Sequence, residues 1–160
     1  MKRTLLVMIL ALLLCGCQSK QTFEVIEDVY LSQPMDDPRQ IVLSLPKEAV
    51  LTMSDENSKL YFCNGYEIAL ETYPSGDLAK TIQSLTGFEK EMLTIVKTGT
   101  SYGQRYECAW SAVSEAGDVV GRAIILDDGN YFYCLCIVSQ AEDSGALQQT
   151  WMDISTSFSI

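Results

Sequence analysis

The side chains of this protein that could do chemistry are chiefly thiols. Six of its 160 residues are cysteine and none is histidine, so the chain cannot build a Ser-His-Asp or Cys-His unit, a HExxH zinc site or an imidazole proton shuttle. It also has no GxSxG and no glycine-rich phosphate loop. Four cysteines, Cys63, Cys108, Cys134 and Cys136, lie well inside the chain. The Cys134-Leu135-Cys136 spacing invites a redox or soft-metal reading, with Cys108 as a third thiol. Two observations count against it: no His, Lys or Arg stands beside the pair to lower a thiol pKa, and the CxxC spacing at a helix N-terminus is missing. At alternate strand positions cysteine more commonly serves as a small buried hydrophobe.

Carboxylates and tyrosines are the other candidates. Asp36-Asp37, Asp55-Glu56, Asp127-Asp128 and Glu142-Asp143 could each touch Ca²⁺. None has the loop spacing of an EF-hand, and Asp127-Asp128-Gly129-Asn130 is accounted for by the turn it must make. No metal site or cofactor is therefore expected. Tyrosine supplies eight of the aromatic residues, and a tyrosine-rich sheet face gives contact area at low entropic cost. Tyr131 and Tyr133 are the best binding-face candidates because, on a strand, they point opposite to Phe132 and Cys134. The alternative is that such tyrosines line the edge of the core.

These residues sit on elements whose signals are mostly those of strands. Ile41, Leu43 and Leu45 alternate up to Pro46. The stretch from Lys59 to Cys63 runs through Asn64-Gly65 into Tyr66 to Thr72, a strong hairpin signal because both turn residues tolerate positive φ. A helix follows, capped by Ser75 or Asp77, with Leu78, Ile82 and Leu85 at helical spacing and Gly87 placed to end it. Strands are expected near Met92 to Lys97, Gly103 to Ser114, Val119 to Asp127 and Tyr131 to Ser139. The last three form a meander through two-residue turns at Ala116-Gly117 and Asp128-Gly129. Leu147, Trp151, Ile154 and Phe158 are the apolar stripe of an amphipathic C-terminal helix that must pack on the sheet. The fold class is thus α+β, an antiparallel sheet with a mid-chain helix and a closing helix. The hydrophobic pattern is interrupted at Gln33 to Gln40 by two prolines and an Asp pair.

Those turns set a register. Cys108 then opposes Ile125, Cys134 opposes Ala123, and Cys136 opposes Gly121. One face collects Tyr106, Cys108, Trp110, Gly121, Ala123, Ile125, Phe132, Cys134 and Cys136, and it reads as the core. A whole strand separates Cys108 from Cys134 and Cys136, roughly 9 to 10 Å between Cα atoms, whereas a disulfide needs less than about 7 Å. Cys134 with Cys136 would distort the pleat. Cys63 alone remains as a partner, so at most one disulfide is expected.

Twelve of the first 16 residues are apolar, preceded by Lys2 and Arg3. The run from Leu5 to Leu14 is about half the roughly 20 residues a helix needs to span a bilayer, which is the layout of a secretory signal. Leu14-Cys15-Gly16-Cys17 resembles the lipobox of bacterial lipoproteins. The resemblance implies a signal peptide over 1–16, cleavage after Gly16, and a diacylglyceryl group on the Cys17 thiol, with an N-acyl chain where the source adds one. A tether over 17–22 then leads to a single domain over 23–160. Two or three acyl chains hold a protein stably to a membrane. Without its signal the chain carries 9 basic and 21 acidic residues, which argues against nucleic acid as a partner, because phosphate binding needs clustered Lys and Arg.

Over residues 40–160 the organisation resembles the PsbP-like fold and the bacterial DcrB-type lipoproteins that share it. The matching pieces are Ile41 to Pro46, Asp77 to Gly87, the meander from Tyr102 to Gln140, and Trp151, Ile154 and Phe158. They are core patterns, so neither the metal ions of the photosystem nor the nuclear transport roles found on that fold transfer with them.

The expected protein is a non-enzymatic envelope lipoprotein, anchored at the outer face of the cytoplasmic membrane, or in an outer membrane where the source has one. It would bind or support an unidentified envelope protein. Two alternatives stand beside this: a thiol-based redox or soft-metal-handling lipoprotein using Cys134 and Cys136, and a carrier of a small apolar ligand held between sheet and helix.

Overall fold

The computed structural model describes residues 36–113 and 117–160, except for the side chain of Ala146. The expected signal peptide, Cys17, the tether and the stretch 23–35 lie outside the described residues. All described residues belong to one unit, Leu31–Ile160. Seven strands form one antiparallel sheet: β1 (Val50–Ser54), β2 (Ser58–Cys63), β3 (Tyr66–Pro74), β4 (Val96–Thr100), β5 (Gly103–Ala112), β6 (Val119–Asp127) and β7 (Tyr131–Gln140). Two helices accompany them, α1 (Leu78–Thr86) and α2 (Ser144–Ser157). The α+β class is as the sequence implies.

The spatial order is β1-β2-β3-β7-β6-β5-β4. Three strands fold as consecutive hairpins; α1 then carries the chain to the far edge, and the β4–β7 meander returns to place β7 beside β3. The β2–β3 hairpin turns where expected, with Asn64 at φ 45° and Gly65 at φ 87°, as a two-residue primed turn requires. Asp77 caps α1, its Oδ1 accepting from the Ala79 N–H at 3.0 Å and the Lys80 N–H at 3.3 Å. Gly87 closes the helix in the left-handed conformation, its N–H donating to the Gln83 carbonyl.

Both faces of the sheet are covered, each by one helix. Ile68, Leu70, Ile124, Leu126, Tyr133, Leu135 and Ile137 pack under Leu147, Trp151, Ile154 and Phe158. Ile125, Phe132 and Cys134 pack under Ile82, with Leu78 and Leu85 beside it. The cysteine-bearing face is therefore the smaller of two cores, and the expectation that it is the core is corrected. Alternation within a strand reports which residues share a face; it does not report which helix covers that face.

Three expected elements differ. Ile41, Leu43 and Leu45 do not join the sheet. They form a strap against the larger core, fixed by a single bridge in which the Val42 N–H donates to the Ser159 carbonyl at 2.8 Å and the Ser159 N–H donates back at 3.0 Å. The strand expected from Met92 begins only at Val96, after a 3₁₀ turn at Lys90–Met92. Both meander registers differ from expectation: Ala112 pairs with Val119 and Asp127 with Phe132, the second turn closing around Gly129-Asn130 with the Asp128 N–H donating to the Tyr131 carbonyl at 3.3 Å. At the second, the Asp128 carboxylate accepts the Asn130 and Tyr131 N–H groups at 2.9 and 2.8 Å, and Asp127 accepts the Gly129 N–H at 2.9 Å. Each register moves by two residues, which preserves the period-two face assignment.

Candidate functional site

In the observed register Cys108 stands opposite Ala123, and Ala123 stands opposite Cys136. One strand thus separates the two thiols, and the residues sharing their face are the ones the sequence indicates. Cys134 lies opposite Ile125 on β6 and Glu71 on β3. Cys63 ends β2 opposite Tyr66 and belongs to the other core. All four are free thiols.

The surroundings of Cys108, Cys134 and Cys136 hold the protonated form. Burial pushes the Cys136 thiol up to about 12, and the Glu71 carboxylate adds to the shift. Cys134 is raised further by the same two causes in the same order, and burial raises Cys108. The Cys136 S–H points at the Leu85 carbonyl of α1, 3.8 Å away. Thiolate is the nucleophilic and metal-binding form of cysteine, and this face disfavours it. Among the described residues no group of three or more His, Cys, Asp and Glu side chains is placed to hold a metal ion.

The two tyrosines are placed as the alternation predicts, opposite to Phe132 and Cys134, yet that face is the one under α2. Tyr133 is 0% exposed. Its hydroxyl accepts the Arg39 N–H at 2.9 Å and donates to the Asp128 carboxylate at 3.1 Å. Tyr131 is half-buried against the same core, its ring centroid 6.2 Å from that of Tyr133. The expectation of a binding face at Tyr131 and Tyr133 is corrected accordingly: a fully buried ring offers a partner no contact area, and this pair lines the core edge.

The open apolar surface is on β1 and β2. Val50 opposes Phe62 and Met53 opposes Leu60, which puts all four on the face that α1 covers farther along the sheet. Val50 is 62% exposed, Met53 50% and Phe62 49%. Across β2 and β3 the exposed Glu67 stands opposite Phe62, so an acidic side chain borders the patch. β1 carries no charged residue and forms one edge of the sheet, with its register broken between Leu51 and Met53. The alternation of Leu60 and Phe62 is visible in sequence. That Phe62 stays exposed while Leu60 is half-buried is a property of the assembled sheet.

Among the described residues no helix is long and apolar enough to cross a membrane. No family model matches the chain, and no curated protein matches it. Among solved structures it is similar in fold to the Ran-binding protein Mog1p of Saccharomyces cerevisiae, with a TM-score of 0.54 and 12% identity over 75% of this chain and 89% of that one.

Proposed function

We propose that the protein is a lipid-anchored envelope lipoprotein whose domain binds another protein through the β1–β2 face and carries out no catalysis. The observation that carries this reading is the apolar group of Val50, Met53 and Phe62 on one sheet face beside Glu67. Apolar patches bordered by polar residues mark interaction sites. An acidic border on an acidic chain favours a partner that presents apolar residues flanked by Lys or Arg. The likeness to Mog1p supports assigning the fold to the PsbP-like group. The Leu14 to Cys17 sequence supports attachment through Cys17 at the outer face of the cytoplasmic membrane, or in an outer membrane where one exists. The thiol reading gains nothing from Cys134 and Cys136, whose thiolates are disfavoured.

The test is site-specific photocrosslinking of the membrane-anchored chain, with a photoreactive residue at position 62, 53 or, as control, 152 on α2. A shared adduct from 62 and 53 that is missing at 152 and lost with Val50→Asp supports the reading; the same adducts from all three positions overturn it. Cys17→Ser should release the domain or leave the precursor unprocessed. Normal processing and membrane attachment of that variant would refute the anchor.

A further inference from the structure

The strap over residues 38–45 borders an open-mouthed cavity of about 340 Å³ against β2, β3 and the turn between β1 and β2. Its apolar wall is made by Ile41, Leu43 and Leu45 from the strap and by Tyr61 and Leu70 from the sheet. Charged and polar side chains make the rest of the lining, Arg39, Lys59, Asp55 and Glu56 among them. The strap is held on the side away from β2: Arg39 by the Tyr133 hydroxyl, Val42 by Ser159, and Ser44 by the Ser157 hydroxyl at 2.9 Å. These bonds fix the roof and keep the cavity formed.

We propose that this cavity is a binding site for a small zwitterionic molecule with an apolar body, of the class of apolar α-amino acids and dipeptides. Three observations carry the assignment. The volume falls at the lower end of small-molecule sites, about 300 to 1,000 Å³, and corresponds to roughly a dozen waters' share of liquid volume. It accommodates a body the size of phenylalanine or a small dipeptide and excludes a diacyl lipid. The apolar wall, with the Tyr61 ring in it, matches an aliphatic or aromatic side chain. Charges of both signs line the same cavity, and neither Lys59 nor Glu56 forms an ion pair with a described residue. A zwitterion satisfies both at once, its carboxylate on the Lys59 ammonium and its ammonium on the Glu56 carboxylate.

Calorimetric titration of the full chain with L-phenylalanine and with L-leucyl-L-leucine tests the site and separates free amino acid from dipeptide. Either one should bind saturably at one site per chain. N-acetyl-phenylalanine amide, which has the same body without the charges, should bind about tenfold more weakly, and so should the zwitterion to Lys59→Gln or Glu56→Gln. Leu43→Trp fills the cavity and should abolish binding; should that variant not fold, the two exposed charge changes test the same site. No saturable binding of either zwitterion, equal binding of the capped compound, or undiminished binding to both charge variants overturns the proposal. Val50→Asp, on the opposite face, should leave the titration unchanged, so this site and the protein-binding face fail separately.

Discussion

The Tyr133 hydroxyl and the Arg39 N–H meet at 2.9 Å although 94 positions separate them in the chain. The same hydroxyl donates to Asp128, whose carboxylate lies 3.7 Å from the Arg39 side chain. One buried phenol therefore ties the start of the strap to the β6–β7 turn. Tyr133→Phe keeps the ring and removes both bonds. Leaving a buried polar group without its partner costs about 1–3 kcal/mol, and urea denaturation should show a loss in that range, with the apolar packing of β7 retained.

Gly121 has no room for a side chain. A Cβ there would lie 2.2 Å from Cζ2 of the Trp110 indole, with further ring atoms close behind. The two residues face each other across β5 and β6. Gly121→Ala must displace the indole, and overpacking of this kind costs about 1–3 kcal/mol. The expected result is a lower denaturation midpoint together with a shifted tryptophan emission; Gly99→Ala, where a Cβ meets open space, should move the emission little.

Buried thiols make stability fall in alkali. Cys136 is pushed up to about 12 and Cys134 is likewise raised, both first by burial, and Tyr66 is pushed to about 12 chiefly by burial. In the unfolded chain these groups titrate near about 8.5 and 10. The folded state therefore holds more protons between roughly pH 8.5 and 12, and stability drops as pH rises through that window. Below about pH 8 their contribution is constant. Urea midpoints at pH 7.5 and 9.5 measure the drop, and Cys134→Ala with Cys136→Ala should flatten it. At neutral pH both thiols should react with an alkylating agent only after unfolding.

Helix α1 depends on its first residue outside the helix. Asp77 satisfies two N–H groups of the first turn, and Asp77→Ala should cost about 1 kcal/mol. Asp77→Asn, which keeps the acceptor, should recover most of that loss. Equal losses from both would assign the effect to charge, and the denaturation midpoints of the two variants decide it.

What could be read in the sequence was what is decided locally. Asp77 and Gly87 mark α1 because caps act within one turn, and Asn64-Gly65 marks its hairpin because the conformation is intrinsic to those residues. The face shared by Cys108, Ala123 and Cys136 was legible since period-two alternation survives a shift of two. The register itself was not, because Asp127 and Asp128 move the turn one residue on, to Gly129-Asn130, through side-chain bonds that leave no distinctive spacing. Ile41, Leu43 and Leu45 alternate as a strand would, and they form a strap because Val42 pairs with Ser159, beyond α2, and not with a strand of the sheet. For Tyr133 the direction was right and the consequence wrong, because the helix that buries it is supplied by residues 144–157. The exposed β1–β2 face and the cavity depend on which surfaces remain uncovered after the whole sheet forms.

The bridge between Val42 and Ser159 also decides how the domain bears load. Tension drawn along the chain from the N-terminal side reaches the described fold at the strap. It meets the Arg39 bond to Tyr133, the two main-chain bonds of the bridge and the Ser44 bond to Ser157 one after another. These open in sequence, as a seam peels, whereas the seven-stranded sheet behind them would have to slide many bonds at once. The strap thus sets a row of single bonds between that tension and the sheet.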